Sequence, residues 1–329
     1  MDTPPCAELH LHVEGTLEPE MVLALGERIG IPLPYADAED LRARLAFTDL
    51  QSFLDLYYAN TAVLRTAQDF AELMAAYLRR AAVAHVRHAE VMFDPQAHLA
   101  RGIPIEEVVE GLAAGMALGA ELGVSSLLVA AFLRDRPAGE AMEVLEALLR
   151  AGAPIAGVGL DSAEVGHPAA PFADVFLRAR AEGLRLTAHA GEEGPASNVT
   201  EVLDVLGVER VDHGIRAADD PDLVARLREE QVPLTVCPLS NVRLRAVGSI
   251  AAHPLPQLLA ADVLVTVNSD DPAYFGGYVD DNYAALRAET ALGRDDLARL
   301  ATNSFTGSWL PAARAAELAA EVEAWRLAV

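Results

Sequence analysis

Lysine is absent from this chain: all 25 basic residues are arginine. That excludes a Schiff base to pyridoxal phosphate, a phosphate-loop lysine and a carbamylated lysine bridging two metals. Cations are scarce overall, 25 against 49 acidic residues, for a formal net charge of -24. So acidic a surface repels phosphate backbones, and no nucleic-acid partner is expected. Cysteine is nearly missing as well. Cys6 and Cys237 each lie in an apolar run, which suits two buried free thiols. Without a disulfide framework, a cytoplasmic location is expected. The opening Met-Asp-Thr-Pro-Pro has neither the basic nor the apolar stretch of a signal peptide. No apolar run reaches membrane-spanning length, so no membrane partner is expected.

Apolar residues are plentiful, 52% of 329, enough for a sizeable core. They fall in short runs that alternate with longer amphipathic, alanine-rich segments. Eight runs read as strands: Cys6–Val13, Val86–Phe93, Ser126–Phe132, Ile155–Leu160, Leu184–His189, Arg210–His213, Leu234–Val236 and Leu264–Val267. Helical patterns between them include Glu106–Leu122, Ala138–Ala151, Phe172–Glu182, Asn198–Leu206 and Asp219–Glu230, and Ala312–Leu327 reads as a closing helix. Strand and helix in alternation imply a parallel sheet, and eight units imply an α/β fold of the closed (β/α)8 barrel type. An open doubly wound sheet is the alternative, and it would more often carry a glycine-rich loop after its first strand. Residues 1–329 are expected to form a single domain. About seventy residues separate the first two strands, with helical patterns at Pro19–Ile29, Leu50–Leu64 and Ala67–Ala82. This helical insertion follows strand one at the barrel's active-site end. Phe47–Tyr58, with Phe53, Leu54, Tyr57 and Tyr58, therefore reads as an apolar cover over the mouth; ordinary packing of an amphipathic helix is the plainer reading.

The chemistry gathers at strand ends. In Glu8-Leu9-His10-Leu11-His12, strand alternation points His10 and His12 to the same side. Alone, the pair fits the wet face of an amphipathic strand as well as half a metal site. Strand five ends in His189-Ala-Gly-Glu192, strand six in Asp212-His213-Gly214, and strand eight leads into Asn268-Ser269-Asp270-Asp271-Pro272. In a barrel such ends converge on one face. His10, His12, His189 and Asp270 supply three nitrogens and one oxygen, the donor set of a catalytic zinc with an open position; iron, cobalt or manganese also suit it. One zinc ion per chain is expected, since no lysine is present to bridge two metals. A metal there lowers the pKa of bound water. His213 could orient that water or accept its proton, Glu192 could donate a proton to substrate, and Asp271 could hydrogen-bond a ring nitrogen.

Two other motifs compete. His12-Val13-Glu14 matches half of the cytidine-deaminase zinc signature, but the Pro-Cys-x-x-Cys half is missing. Metal-dependent phosphoesterases share the His-Leu-His start, but usually have more metals and basic groups for phosphate. His85, His88, His98, His167 and His253 read as structural or solvent-facing. Asp94 and Glu164 end strands two and four and so could line a pocket, although pairing with an arginine is the default for Asp94.

Taken together, His10-Leu-His12, His189-Ala-Gly-Glu192, Asp212-His213-Gly214 and Ser269-Asp270-Asp271-Pro272 resemble the adenosine deaminase family of metal-dependent hydrolases across essentially the whole chain. The resemblance implies that His10, His12, His189 and Asp270 bind zinc. It implies that Glu192 protonates the purine ring nitrogen beside the reacting carbon, that His213 assists the hydroxide, and that Asp271 bonds the imidazole-ring side of the purine. The partner implied is a small 6-aminopurine, in a reaction of purine salvage. Two positions depart from nucleoside-acting members, which usually carry Asp at the place of Glu14 and Gly at the place of Glu164. Two longer carboxylates are expected to fill space that a ribose needs. Together with the segments around Glu14, Asp161 and Asp271, this resembles the adenine deaminase branch and favours free adenine over adenosine, a modified adenine or aminodeoxyfutalosine. A non-catalytic purine-binding relative would be expected to have lost a ligand or the proton donor, and neither loss is seen.

Overall fold

All eight expected strands form in the computed structural model, which describes residues 3–328. They are β1 (Cys6–His12), β2 (Val86–Phe93), β3 (Ser125–Leu133), β4 (Ile155–Asp161), β5 (Arg185–Ala190), β6 (Arg210–His213), β7 (Leu234–Val236) and β8 (Val265–Val267). Each pairs in parallel with the next, in the order β1 to β8. The ring closes through a short bridge: the His12 amide donates to the Asp270 carbonyl at 3.0 Å, and the Asp270 amide donates to His10 at 3.1 Å. The Asn268 side chain extends the seam by accepting the Leu9 amide at 2.8 Å. The fold is therefore a (β/α)8 barrel, with β1 and the segment after β8 locked together at the mouth.

Alternation explains what the strands do. On β1, Ala7, Leu9 and Leu11 are fully buried in the apolar core, while His10 and His12 take the other side. β1 stops at His12, one residue before the expected end, because Val13 turns into a helical conformation whose carbonyl accepts the Thr16 amide.

The insertion after β1 contains four helices, α1 (Pro19–Ile29), α2 (Ala38–Arg44), α3 (Leu50–Asn60) and α4 (Ala67–Val83). α3 starts at a capping box, with the Asp49 carboxylate accepting the Ser52 amide at 2.8 Å. It ends at Asn60, before the expected Leu64, where a tight turn over Thr61–Val63 begins. α2 escapes the periodicity because it is short and buries only Leu41. Among the described residues no helix is long and apolar enough to cross a membrane.

Candidate active site

A cavity of about 400 Å³, counting the open space at its mouth, lies where the C-terminal ends of the strands meet. His12, His189, Glu192, His213, Asp270 and Asp271 line its floor side. Leu50, Phe53, Leu54, Tyr57 and Tyr58 of α3 form an apolar wall with Leu244 and Phe275. Phe53 packs against Phe275 with the rings tilted and their centres 4.6 Å apart, which ties α3 to the segment after β8.

His10 and His12 are 0% and 6% exposed, so the wet-face reading of the pair does not hold. One donor atom from each of His10, His12, His189 and Asp270 lies within 4.8 Å of the other three. His10 Nδ1 sits 3.1 Å from both the carbonyl and the hydroxyl of Thr235. With its proton donated to that carbonyl, His10 presents a bare Nε2, buried and without a hydrogen-bond partner, 3.3 Å from an Asp270 oxygen. His12 Nε2 and His189 Nε2 face each other at 3.2 Å. Lone pairs turned toward one centre in a buried site are what a divalent cation satisfies, so the donor set fits the ion.

Supporting partners surround these four residues. Asp161 lies 3.5 Å and Asp94 3.8 Å from His12 Nδ1. Asp212 lies 3.6 Å from His189 Nδ1 and accepts the hydroxyls of Thr187 and Thr235 at 2.7 and 2.8 Å. Carboxylates behind imidazoles fix ring orientation in metal sites. Glu8 accepts the Ser269 amide and hydroxyl and the Tyr77 hydroxyl, which anchors the turn carrying Asp270. His213 and Asp270 have φ of +61° and +65°, a region L-residues seldom occupy. Both sit where a strand gives way to a turn, and this conformation turns their side chains onto the cavity.

Electrostatics divide the roles. Burial, then the neighbouring imidazoles of His10, His213 and His12, holds His189 well below the usual histidine range, neutral and free to ligate. Burial is also the largest effect on His12, but the carboxylates of Asp271, Asp94 and Asp161 outweigh it and draw positive charge there. Burial pushes Glu192 well above the usual carboxylate range, and Asp270, Glu193 and Glu164 push it further. A carboxylic acid that keeps its proton is suited to general-acid work. Burial and His10 lower His213 to about 3. Its Nε2 lies 3.5 Å from Glu192 and 3.8 Å from Asp270.

The family assignment follows from a match to the adenosine deaminase family over residues 5–325. The chain belongs to the adenosine deaminase family. An adenine deaminase of Streptomyces coelicolor is 58% identical over 98% of this chain and 96% of its own length. One from Rhodospirillum rubrum is 53% identical over 97% of this chain and 96% of its own. The crystal structure of an adenine deaminase from Arthrobacter aurescens superposes with a TM-score of 0.98, at 60% identity, covering 99% of this chain and 100% of that one. An amidohydrolase from Burkholderia ambifaria, solved with bound Zn, reaches a TM-score of 0.90 at 28% identity, covering 98% and 92%. The family is metal-dependent, and this member carries a matching His/Asp donor set.

Two deaminase-site expectations meet a different geometry. Glu14 and Glu164 were expected to occupy ribose space, but neither lines the cavity. Glu164 turns under the loop after β5. One oxygen accepts the Gly191 amide and the Asn198 side chain, both at 2.8 Å; the other accepts the amides of Glu192, Glu193 and Gly194 at 2.9–3.1 Å. Four successive amides around one carboxylate form an anion nest, and its effect is to hold Glu192 in place. Glu14 accepts the Asp94 amide at 3.1 Å and His98 Nε2 at 2.6 Å, while Arg101 donates to His98 Nδ1 at 2.7 Å. These hydrogen bonds fix both Glu164 oxygens and one Glu14 oxygen, leaving Glu14 Oε2 buried without a partner.

Asp94 shows the reverse. No arginine pairs with it among the described residues; its neighbours are His12 and the Tyr57 hydroxyl at 3.4 Å, and it lines the cavity. Asp161, Asn241 and His253 also belong to the site's surroundings, and none of them falls in the strand-end motifs. Asn241 lies on the short helix Pro238–Arg243 just after β7 and donates toward both Glu192 and His213. The signal available was its place in Cys237-Pro-Leu-Ser-Asn241, at the active-site end of a barrel strand.

Proposed function

We propose that this chain catalyses the hydrolytic deamination of adenine, taking adenine and water to hypoxanthine and ammonia, with residues 1–329 acting as one catalytic domain. The observation that carries the reading is the convergence of the His10, His12, His189 and Asp270 donor set with Glu192 and His213 on one small cavity. Relatives named adenine deaminase at 50–58% identity supply the substrate.

In this reading His10, His12, His189 and Asp270 hold one divalent ion, and their three-nitrogen, one-oxygen set favours zinc. The ion, when bound, supplies Lewis acidity and acidifies water. Glu192, protonated in its buried setting, gives its proton to the purine ring nitrogen next to the amino-bearing carbon. His213 orients the incoming water against that carbon. Asp271 accepts from, or shares a proton with, the imidazole-ring side of the base. The apolar wall from α3 excludes bulk water from the reacting atoms. Of the two protons of the added water, one passes to the amino group, which departs as ammonia, and the other returns to Glu192 as the carbonyl of hypoxanthine forms.

The choice of free base rests on Asp94 and Asp161. Both line the cavity, and each leaves one buried oxygen without a hydrogen-bond partner. A free purine offers a ring N–H to such an acceptor. A nucleoside has replaced its N9 hydrogen with a sugar, so it leaves an acceptor unpaired. The cytoplasm suits the two buried free thiols. Ammonia release from adenine and adenosine, assayed side by side, tests the proposal. Adenine is the expected substrate; preference for adenosine, or release from neither, overturns it.

A further inference from the structure

A chain of hydrogen bonds enters the site from a segment remote from the metal donors. The Leu255 backbone amide donates to His253 Nδ1 at 3.0 Å. His253 Nε2 lies 3.2 Å from the Asn241 side-chain oxygen. The Asn241 Nδ2 group lies 3.4 Å from Glu192 Oε1 and 3.3 Å from His213 Nδ1. All four side chains are buried, so none of these bonds competes with water.

The direction of every bond follows from the first. A backbone amide can only donate, so His253 Nδ1 must accept. Neutral His253 then carries its proton on Nε2, and the group facing it on Asn241 must be the oxygen. That fixes the amide's orientation, with both Nδ2 hydrogens pointing into the site. One meets Glu192 Oε1, which must accept, so the acid proton of Glu192 resides on Oε2, the oxygen nearest His213. The other meets His213 Nδ1, which must also accept, leaving the His213 proton on Nε2.

We infer that Asn241 and His253 are positioning residues which set the tautomer of His213 and select the protonated oxygen of Glu192, relaying the fixed polarity of the Leu255 amide. His213 then presents Nε2–H to the cavity and acts as a hydrogen-bond donor to the oxygen being added. It does not act as the acceptor of that oxygen's proton. This refines the deaminase reading for turnover and rests on it there, but the tautomer itself exists whatever the substrate.

The test uses metal-loaded protein labelled with 15N-histidine, the His213 signals being assigned by their loss in His213→Asn. Ring nitrogen shifts distinguish Nδ1–H from Nε2–H directly. Nε2–H is expected for His213 in the wild type. In Asn241→Asp the new carboxylate can only accept, so the proton should move to Nδ1. The same variant should lose about 10- to 100-fold in kcat, with KM for adenine nearly kept, as for other supports of catalytic groups. His253→Leu frees Asn241 to turn over and should give a mixture of the two tautomers and a smaller loss of kcat. Should Asn241→Asp fail to fold, the wild-type spectrum and His253→Leu still decide. Nδ1–H in the wild type overturns the inference, and so does an unchanged tautomer with unchanged kcat in the variants. Absence of turnover on adenine with Nε2–H present would contradict the substrate reading alone.

Discussion

At the residue scale, the legible part of the site was the part encoded by strand alternation and strand ends. His10 and His12 share a side because they are two apart, and the end residues of β5, β6 and β8 meet because a barrel brings them together. Glu14, Glu164, Asp94 and Asn241 were illegible for the opposite reason. Their directions depend on partners far along the chain, such as His98 for Glu14 and the amides of 191–194 for Glu164. Two predictions belong here. Glu192→Gln preserves shape and keeps metal and fold, but has no acidic proton to give; steady-state assays should show a fall in kcat of ~10²–10⁴-fold. Near-normal turnover would remove Glu192 from the mechanism. Asp94→Asn should lower kcat/KM on adenine by roughly tenfold to a hundredfold, and by more than it lowers any trace activity on adenosine, because the support that Asp94 gives His12 is common to both substrates. An equal loss on both substrates would mean that Asp94 does not read the ring N–H.

Among the elements, all eight strands were readable from short apolar runs, and most ends fell within one residue. The helices that carry long amphipathic faces were equally clear. The short ones were not: α2 and the Pro238–Arg243 helix have too few turns for a period to show. Close approach is likewise invisible in sequence. A Cβ on Gly15 would lie 2.6 Å from the Asp271 Cα, so the turn after β1 abuts the turn after β8 only because residue 15 has no side chain. The loop after β5 yields the third prediction. Glu164→Gly takes away the acceptor for four amides and the Asn198 side chain. Its main effect should be loss of kcat through a displaced Glu192, with increased proteolysis or hydrogen exchange confined to residues 191–194. A gain of adenosine activity with adenine turnover intact would instead restore the view that Glu164 fills sugar space.

For the whole molecule, buried His253 contributes to the acid limb of stability. Burial lowers His253 to about 4, and its Nδ1 is already committed to the Leu255 amide. The folded pKa lies below the unfolded value of roughly 6.5, so the unfolded chain takes up the proton first as pH falls. The stability from this residue is full above about pH 6.5 and is lost between there and pH 4, amounting to about 3 kcal/mol. Denaturant titrations across that range should show a steeper decline for the wild type than for His253→Gln. Parallel slopes would show that His253 is not held neutral by the fold. The net charge of -24 acts separately and favours small ligands over polyanions.

The single-ion deaminase site is tested by titrating metal-free protein with zinc while following bound metal and adenine-dependent ammonia release together. Activity should rise from near zero in proportion to bound metal and saturate at one equivalent per chain, and His189→Ala should neither bind that equivalent nor release ammonia. Full activity in the metal-free protein, or saturation only at two equivalents, would contradict it.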